Sequence, residues 1–173
     1  MNLQSDDFAL FGIEHRFSQD RAVLDERWKN LQREAHPDKF SAQGAAAQRI
    51  AMQWSVRINE AYQRLKDPLK RAAYLCELAG APVNAENNTA MPAAFLMQQM
   101  EWREALDEAK SVEDLDKIGL QCMLAKRSAL QNIEQLLDVS QDYSAAVAQV
   151  RALMFIERFA ADWMPDWTSL TTD

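Results

Sequence analysis

The sequence has few of the residues that interrupt helices, since glycine occurs 4 times and proline 5 times in 173 residues. Stretches in which apolar and polar residues alternate strictly are also scarce, which argues against half-buried strands. No apolar run approaches the ~20 residues that a membrane-spanning helix needs. Ala, Gln, Glu and Leu are abundant instead, and these residues favour helices. The composition therefore predicts an all-α protein without a membrane span.

Residues that commonly bind metals are equally scarce, with two cysteines and two histidines in the whole chain. Cys76 and Cys122 lie far apart and form no CxxC pair, so we expect two reduced, partly buried thiols and no metal or other cofactor. The first eleven residues contain no basic side chain and no long apolar run, which is unlike a secretory signal. We therefore expect a cytoplasmic protein.

The charge is distributed unevenly along the chain. Residues 1–78 carry 12 Lys and Arg against 11 Asp and Glu, whereas residues 79–173 carry 7 against 15, giving net charges of +1 and −8. Neither half is strongly basic, which argues against a nucleic-acid partner. The asymmetry predicts two modules with partners of different electrostatic character.

Two helices are predicted before residue 37. The first, Asp6 to Phe11, ends at Gly12, and Ser18 is the candidate N-cap of the second. An apolar stripe at helical spacing marks the second helix, and it consists of Leu24, Trp28, Leu31 and Ala35. Pro37 ends this helix at or before His36, because the residue before proline is pushed out of the α region.

After Pro37 we expect a polar loop from Asp38 to about Gly44, followed by a long helix that runs from Ala45 to about Lys66. The apolar stripe of that helix consists of Ile50, Trp54, Ile58, Ala61, Tyr62 and Leu65. Two helices of similar length joined by a short loop pack antiparallel and bury their stripes against each other. Pro68 suits the first position of a further short helix that ends near Leu78.

The tripeptide His36-Pro37-Asp38 therefore lies at the exposed tip of a helical hairpin. Two other interpretations are weaker. As a plain turn the tripeptide is chemically reasonable. As a catalytic acid–base pair, His36 and Asp38 would need a cleft and further polar groups, and no nucleophile or phosphate loop is nearby.

The stretch from about Phe8 to Leu78 resembles the J-domain family. The resemblance rests on Trp28, on the tip from His36 to Phe40, on the segment Ile58 to Tyr62 and on Asp67 to Ala72. It implies that the tip and the basic side of the second helix bind a DnaK-class ATPase and stimulate hydrolysis. The residues that would carry this role are His36, Pro37, Asp38, Arg27, Lys29 and Arg33. Asp25, Glu26 and Glu34 make this helix less basic than in general J-proteins, which favours a dedicated partner.

A linker rich in Gly, Pro and Asn is predicted at 79–92, after a first domain of 1–78. Three helices follow in the domain 93–173, from Pro92 to about Lys110, from near Glu113 to Leu137 and from near Tyr143 to Trp163. Short connections make an antiparallel three-helix bundle the expected arrangement. The expected stripe of the middle helix consists of Ile118, Cys122, Ala125, Ala129, Ile133 and Leu136, and that of the last helix of Tyr143, Val147, Val150 and Met154.

The first helix of this bundle has two apolar faces. Phe95, Trp102, Leu106 and Ala109 form a stripe for the core, while Leu96, Met97 and Met100 lie on the opposite half among acidic residues. Phe155 is also predicted to lie off the stripe of its helix. An exposed apolar group fringed by carboxylates is typical of a binding surface. The other interpretation is that Leu96, Met97 and Met100 pack against the first domain.

Taken at nearly full length, the chain is similar to the HscB family, J-domain co-chaperones of iron–sulfur cluster biogenesis. The segments Ala94 to Glu104 and Arg151 to Phe155 carry this resemblance. It implies a co-chaperone, and not an enzyme, that delivers an iron–sulfur scaffold protein of the IscU type to a DnaK-class ATPase of the HscA type, promoting cluster transfer. The implied scaffold-binding residues are Leu96, Met97, Met100, Glu101, Glu104, Glu108 and Phe155.

Two other functions are considered. A general J-protein that serves unfolded clients would share the first domain, but it would usually carry a Gly/Phe-rich segment or a β-rich, zinc-bearing domain. An enzyme with an added J-domain would need a catalytic constellation after residue 80, where the sequence contains no histidine.

Overall fold

The computed structural model describes residues 2–83 and 91–167. Every regular element in these ranges is helical, which confirms the predicted all-α class. None of the helices there is long and apolar enough to cross a bilayer. The chain divides into two compact units, Met1–Leu75 and Cys76–Asp173. Of the predicted linker 79–92, residues 84–90 lie outside the described ranges.

The first two helices of the N-terminal unit are α1 (Asp7–Phe11) and α2 (Arg21–Ala35). Gly12 ends α1 with a φ of 65°, a left-handed conformation that glycine adopts without strain. The predicted cap Ser18 is wrong, because α2 begins after Asp20, whose carboxylate accepts a hydrogen bond from the Ala22 amide at 2.9 Å. Aspartate caps a helix as well as serine does.

A 3₁₀ helix (Pro37–Gln43), α3 (Ala45–Lys66) and α4 (Pro68–Leu78) follow. The predicted loop after Pro37 is therefore helical, since proline suits the first turn of a helix and Gly44, with a φ of 99°, ends it. Asp25, Trp28 and Gln32 of α2 bond in that order to Tyr62, Asn59 and Ser55 of α3, so the two helices run antiparallel, as predicted.

The expected stripe of α3 is correct except at its N-terminal end. Ile58, Ala61 and Leu65 are buried, but Ile50 is 55% exposed and Ala51 is buried in its place. Ile50 lies at the edge of the stripe, and it lines a cavity of about 430 Å³ between α2, the 3₁₀ helix and α3.

The C-terminal unit contains α5 (Ala93–Glu108), α6 (Val112–Glu134), a π-helical turn (Gln135–Val139) and α7 (Tyr143–Trp163), the predicted three-helix bundle. Ser111 and Asp142 cap α6 and α7 through their side-chain oxygens. The π turn advances the chain by an extra residue, so Leu137 is buried where Leu136 was expected.

Nine of the 21 residues of α7 are buried, and its core face is broader than the predicted stripe. Val147 and Val150 are buried as expected, whereas Tyr143 and Met154 are only half-buried. Further buried positions on α7 are Ala146, Ala152, Leu153, Ile156, Phe159 and Ala160. After Pro165 the chain brings Trp167 back into this core.

A buried carboxylate connects the helices of the N-terminal unit. The Asp7 side chain is fully buried, and its oxygens lie 2.8 Å from Arg57 Nη1 and 2.6 Å from Arg64 Nε. The Asp7 amide donates a hydrogen bond to the Tyr74 hydroxyl at 3.0 Å. Asp7 therefore ties α1 to both α3 and α4.

We predict that Asp7→Ala lowers the free energy of unfolding of this unit by about 3 kcal/mol, because it leaves two arginines without their buried counter-charge. Native-state hydrogen exchange of the amides of α3 measures the loss in this unit. The control Asp20→Ala removes a helix cap and should cost about 1 kcal/mol. Equal effects of the two substitutions would contradict a special role for the buried carboxylate.

Candidate chaperone and scaffold surfaces

The tip of the α2–α3 hairpin presents the His-Pro-Asp tripeptide to solvent. His36 is the C-cap of α2, and Pro37 is the first residue of the 3₁₀ helix. The side chains of His36 and Asp38 are 58% and 92% exposed. His36 Nδ1 accepts a hydrogen bond from the Asp38 amide at 3.2 Å. Since Nδ1 is the acceptor, the neutral ring carries its proton on Nε2, which can donate to a partner.

The three basic candidates on α2 do not share one face. Lys29 and Arg33 are four residues apart and therefore neighbours on the helix surface. Arg27 lies about 160° around the helix from Lys29. It is directed towards the end of α1, where its Nη1 lies 3.5 Å from the point that a Cβ on Gly12 would occupy. The structure thus groups Lys29 with Arg33 and separates Arg27 from them.

The acidic residues among these cations differ in their surroundings. Asp25 accepts hydrogen bonds from the Tyr62 hydroxyl and, at 2.9 Å, from Arg21 Nε. The Tyr62 hydroxyl first, and Arg21 second, lower the pKa of the Asp25 carboxyl. Asp25 is therefore engaged in the α2–α3 interface. Glu26 and Glu34 are exposed, and Glu34 lines the apolar cavity beside the tip.

On α5, three large apolar side chains point into solvent, as predicted. Leu96, Met97 and Met100 are 46%, 67% and 73% exposed. The side chains of Glu101, Glu104 and Glu108 are exposed on the same half of the helix. We call these six residues the acidic α5 face. The opposite face of α5 buries Phe95 and Trp102 in the core. Leu96, Met97 and Met100 are therefore not needed to pack this helix on the bundle.

The position of Phe155 differs from the sequence-based prediction that this residue lies off the core stripe, because its ring packs on the core. The ring lies 5.7 Å from that of Phe95 in an edge-on arrangement and 5.8 Å from that of Phe159 in a stacked one. The side chain is half-buried. The helical wheel placed Phe155 off the stripe because it could not show that α7 is packed over so much of its circumference.

Arg103 is a residue of this surface that the sequence reasoning did not single out. Its guanidinium carbon lies 5.4 Å from the centroid of the Phe155 ring. On the wheel, Arg103 is three residues after Met100 and seven after Leu96, the spacing of neighbours on one face. That spacing was the available signal. Arg103 connects the acidic α5 face to Phe155.

Both cysteines are buried in regions of low polarity. Burial raises the pKa of the Cys76 thiol to about 11 and that of the Cys122 thiol to about 12. Both thiols are therefore protonated at neutral pH, whereas metal ligation needs the thiolate. Within the described ranges, no group of three or more His, Cys, Asp or Glu side chains is placed to hold a metal ion.

Comparison with known proteins agrees with this arrangement at both the sequence and the structural level. The family model described as "HSCB C-terminal oligomerisation domain" matches residues 91–162. A co-chaperone protein HscB homolog from Burkholderia multivorans is 48% identical over 165 residues, covering 94% of each chain. The homolog from Burkholderia mallei is 49% identical over the same length, again with 94% coverage of each chain.

Two solved structures match most of the chain. The crystal structure of human co-chaperone protein HscB has a TM-score of 0.86 at 26% identity and covers 94% of this chain and 82% of that one. The chaperone HscB from Vibrio cholerae has a TM-score of 0.77 at 33% identity, covering 91% and 94%. Since close relatives match over nearly the full length of both chains, this chain belongs to the HscB family of co-chaperones.

Proposed function

We propose that this co-chaperone delivers an iron–sulfur scaffold protein of the IscU type to a dedicated DnaK-class ATPase of the HscA type and stimulates ATP hydrolysis by that ATPase. The observation that carries the proposal is the presence of two different exposed surfaces on two units: a His-Pro-Asp tip on the first and an acidic, apolar helix face on the second. After hydrolysis the chaperone would hold the scaffold, and this would promote transfer of the cluster.

The tip supports the ATPase part of the proposal through its chemistry. His36 Nε2 supplies a donor, Asp38 an exposed carboxylate, and Lys29 and Arg33 two cations on a neighbouring side of α2. A partner with a polar, acidic groove would be complementary to this set. The Trp28–Asn59–Gln32–Ser55 hydrogen bonds hold α2 and α3 in fixed register, so the tip is preorganised for binding.

The acidic α5 face supports the scaffold part. Its centre is apolar and its edge carries Glu101, Glu104 and Glu108, the usual composition of a protein interface. Methionines at positions 97 and 100 can adapt to a partner's surface. We place the scaffold contact on these residues together with Leu96, Phe155 and Arg103, which lies over the Phe155 ring.

Because the two surfaces belong to separate units, one chain can bind both partners. Each partner is then present at a high effective concentration for the other, without any new contact between them. ATP hydrolysis itself would take place in the DnaK-class partner. The role of the chain in this scheme is to place the scaffold next to the ATPase and to trigger hydrolysis.

A second function is favoured by the description of the matching family model, which names oligomerisation for residues 91–162. We infer that this region also associates with a second copy of the chain. The acidic α5 face is suitable for either the scaffold protein or a second copy of the chain. Scaffold binding and self-association would then compete for this face.

We predict that His36→Gln abolishes stimulation of the HscA-type ATPase, because the glutamine amide cannot reproduce the ring geometry at Nδ1 and Nε2. Steady-state ATPase assays measure this effect, and calorimetry should find unchanged scaffold binding. His15→Gln, a substitution of the other histidine, should stimulate normally. Full stimulation by the His36 variant would exclude the tip from the ATPase contact.

We also predict that Leu96→Ala together with Met97→Ala weakens binding of the IscU-type scaffold by at least about tenfold, since central apolar anchors dominate interface energies. The melting temperature should not change, because both side chains are exposed. The matched control is Val112→Ala with Val139→Ala, two exposed apolar residues elsewhere in the unit. Equal losses in both double variants would place the scaffold site elsewhere.

Phe155→Ala should behave differently from those two substitutions. We expect it to lower the free energy of unfolding by about 2 kcal/mol, because a half-buried ring in contact with Phe95 and Phe159 is removed. Chemical denaturation is the measurement. Phe155→Leu, which keeps most of the apolar volume, should cost less than half as much. A Phe155→Ala protein with unchanged stability would contradict a role of this ring in the core.

A further inference from the structure

The middle of α6 differs in charge from the rest of the C-terminal half. From Lys117 to Ile133 the sequence has three cations and no acid, although residues 79–173 carry a net charge of −8. The acids of α6 lie before Lys117 or at Glu134. One of the three cations, Lys126, is used within the unit, since its Nζ lies 2.7 Å from Glu157 Oε1. Lys117 and Arg127 have exposed side chains.

Two exposed leucines lie between these cations. Leu120 and Leu124 are 57% and 53% exposed and are four residues apart, so they are neighbours on the helix surface. Lys117 and Arg127 are ten residues apart, which is about 15 Å along the helix. We call these four residues the basic α6 patch. An apolar pair flanked by cations requires a partner with an apolar centre and an acidic edge.

A groove of about 470 Å³ adjoins this patch. Leu124 forms part of one wall, Gln98 and Gln121 line its sides, and Phe95 and Ile156 lie at its apolar base. Among the described residues, its lining contains no charged side chain. A flexible, unbranched thioether side chain suits an irregular groove of this kind.

The acidic α5 face of the same protein has the matching chemistry. Met97 and Met100 are its most exposed apolar side chains, and Glu101 to Glu108 extend over about 10 Å of helix. We propose that copies of this chain associate through the acidic α5 face of one copy and the basic α6 patch and groove of the other, and that this contact covers the scaffold-binding surface. The proposal rests on the self-association inferred above and specifies its surface.

A reciprocal pair of such contacts closes as a twofold dimer, whereas a single contact would propagate as a chain of copies. The C-terminal half of each copy carries a net charge of −8, so the acidic face of one copy is attracted to a stretch of the other in which cations outnumber acids, and the middle of α6 is such a stretch. The scaffold and the second copy then bind α5 in mutually exclusive ways. Scaffold binding would convert the dimer to a monomer that is ready to meet the ATPase.

The test uses sedimentation velocity of the full chain over a range of concentrations at low and high salt. We expect a dimer that weakens at high salt, and we expect Lys117→Glu with Arg127→Glu to weaken it by at least about tenfold. Arg49→Glu with Lys70→Glu changes the net charge equally on the other unit and should leave dimerisation unchanged. A Glu101→Lys, Glu104→Lys chain mixed with the Lys117→Glu, Arg127→Glu chain should restore association, because opposite charges again face each other.

The possible outcomes distinguish a failure of the proposed dimer surface from a failure of self-association or of scaffold delivery. A wild-type dimer that is insensitive to the α6 reversal would overturn the surface but keep self-association. A monomer at every concentration would overturn self-association and leave scaffold delivery unaffected. Addition of the IscU-type scaffold should dissociate the dimer. A stable complex of two copies with bound scaffold would overturn mutual exclusion.

Discussion

The break that Pro37 imposes on the chain determines the shape of the N-terminal unit. Proline has no amide hydrogen to continue α2 and holds the residue before it in an extended conformation, so the chain leaves the helix at His36. The same ring suits the first turn of the 3₁₀ helix. The antiparallel packing of α2 on α3 then keeps this turn at the far end of the hairpin, where His36 and Asp38 are exposed.

Burial is divided between the helices of the C-terminal unit in a way that leaves one half of α5 exposed. The helix α7 contributes more buried residues to the core than either of the other two helices, and α5 contributes Phe95, Trp102 and a few partly buried neighbours. Its other half therefore carries Leu96, Met97 and Met100 in contact with solvent, the surface on which we place the proposed scaffold contact. On the core side of α5, the Phe155 ring contacts that of Phe95 and the Phe159 ring stacks on that of Trp102.

Two polar contacts explain how the bundle closes after Pro165. Trp167 Nε1 donates to Glu157 Oε2 at 2.6 Å, and Lys126 binds the other oxygen of the same carboxylate. The ammonium of Lys126 also lies 5.5 Å from the Trp167 ring. These contacts hold the buried Trp167 against α6 and α7 in the core. They also engage Lys126 within the unit, whereas Lys117 and Arg127 of the same helix are exposed.

Local chemistry in the sequence was sufficient to predict the long helices, the tip and the exposed apolar group on α5, but not the 3₁₀ helix after Pro37 or the cap at Asp20. Caps, prolines and helical spacing act over a few residues, so they can be read from the chain alone. Only the tertiary structure decided the burial of Phe155, the exposure of Ile50, the return of Trp167 and the change from Leu136 to Leu137. The burial of Phe155 and the exposure of Ile50 depend on which neighbours pack around a helix, whereas the change to Leu137 follows the π turn and Trp167 lies beyond the end of α7. A helical wheel shows the faces of one helix and contains no information about the neighbours that pack against it.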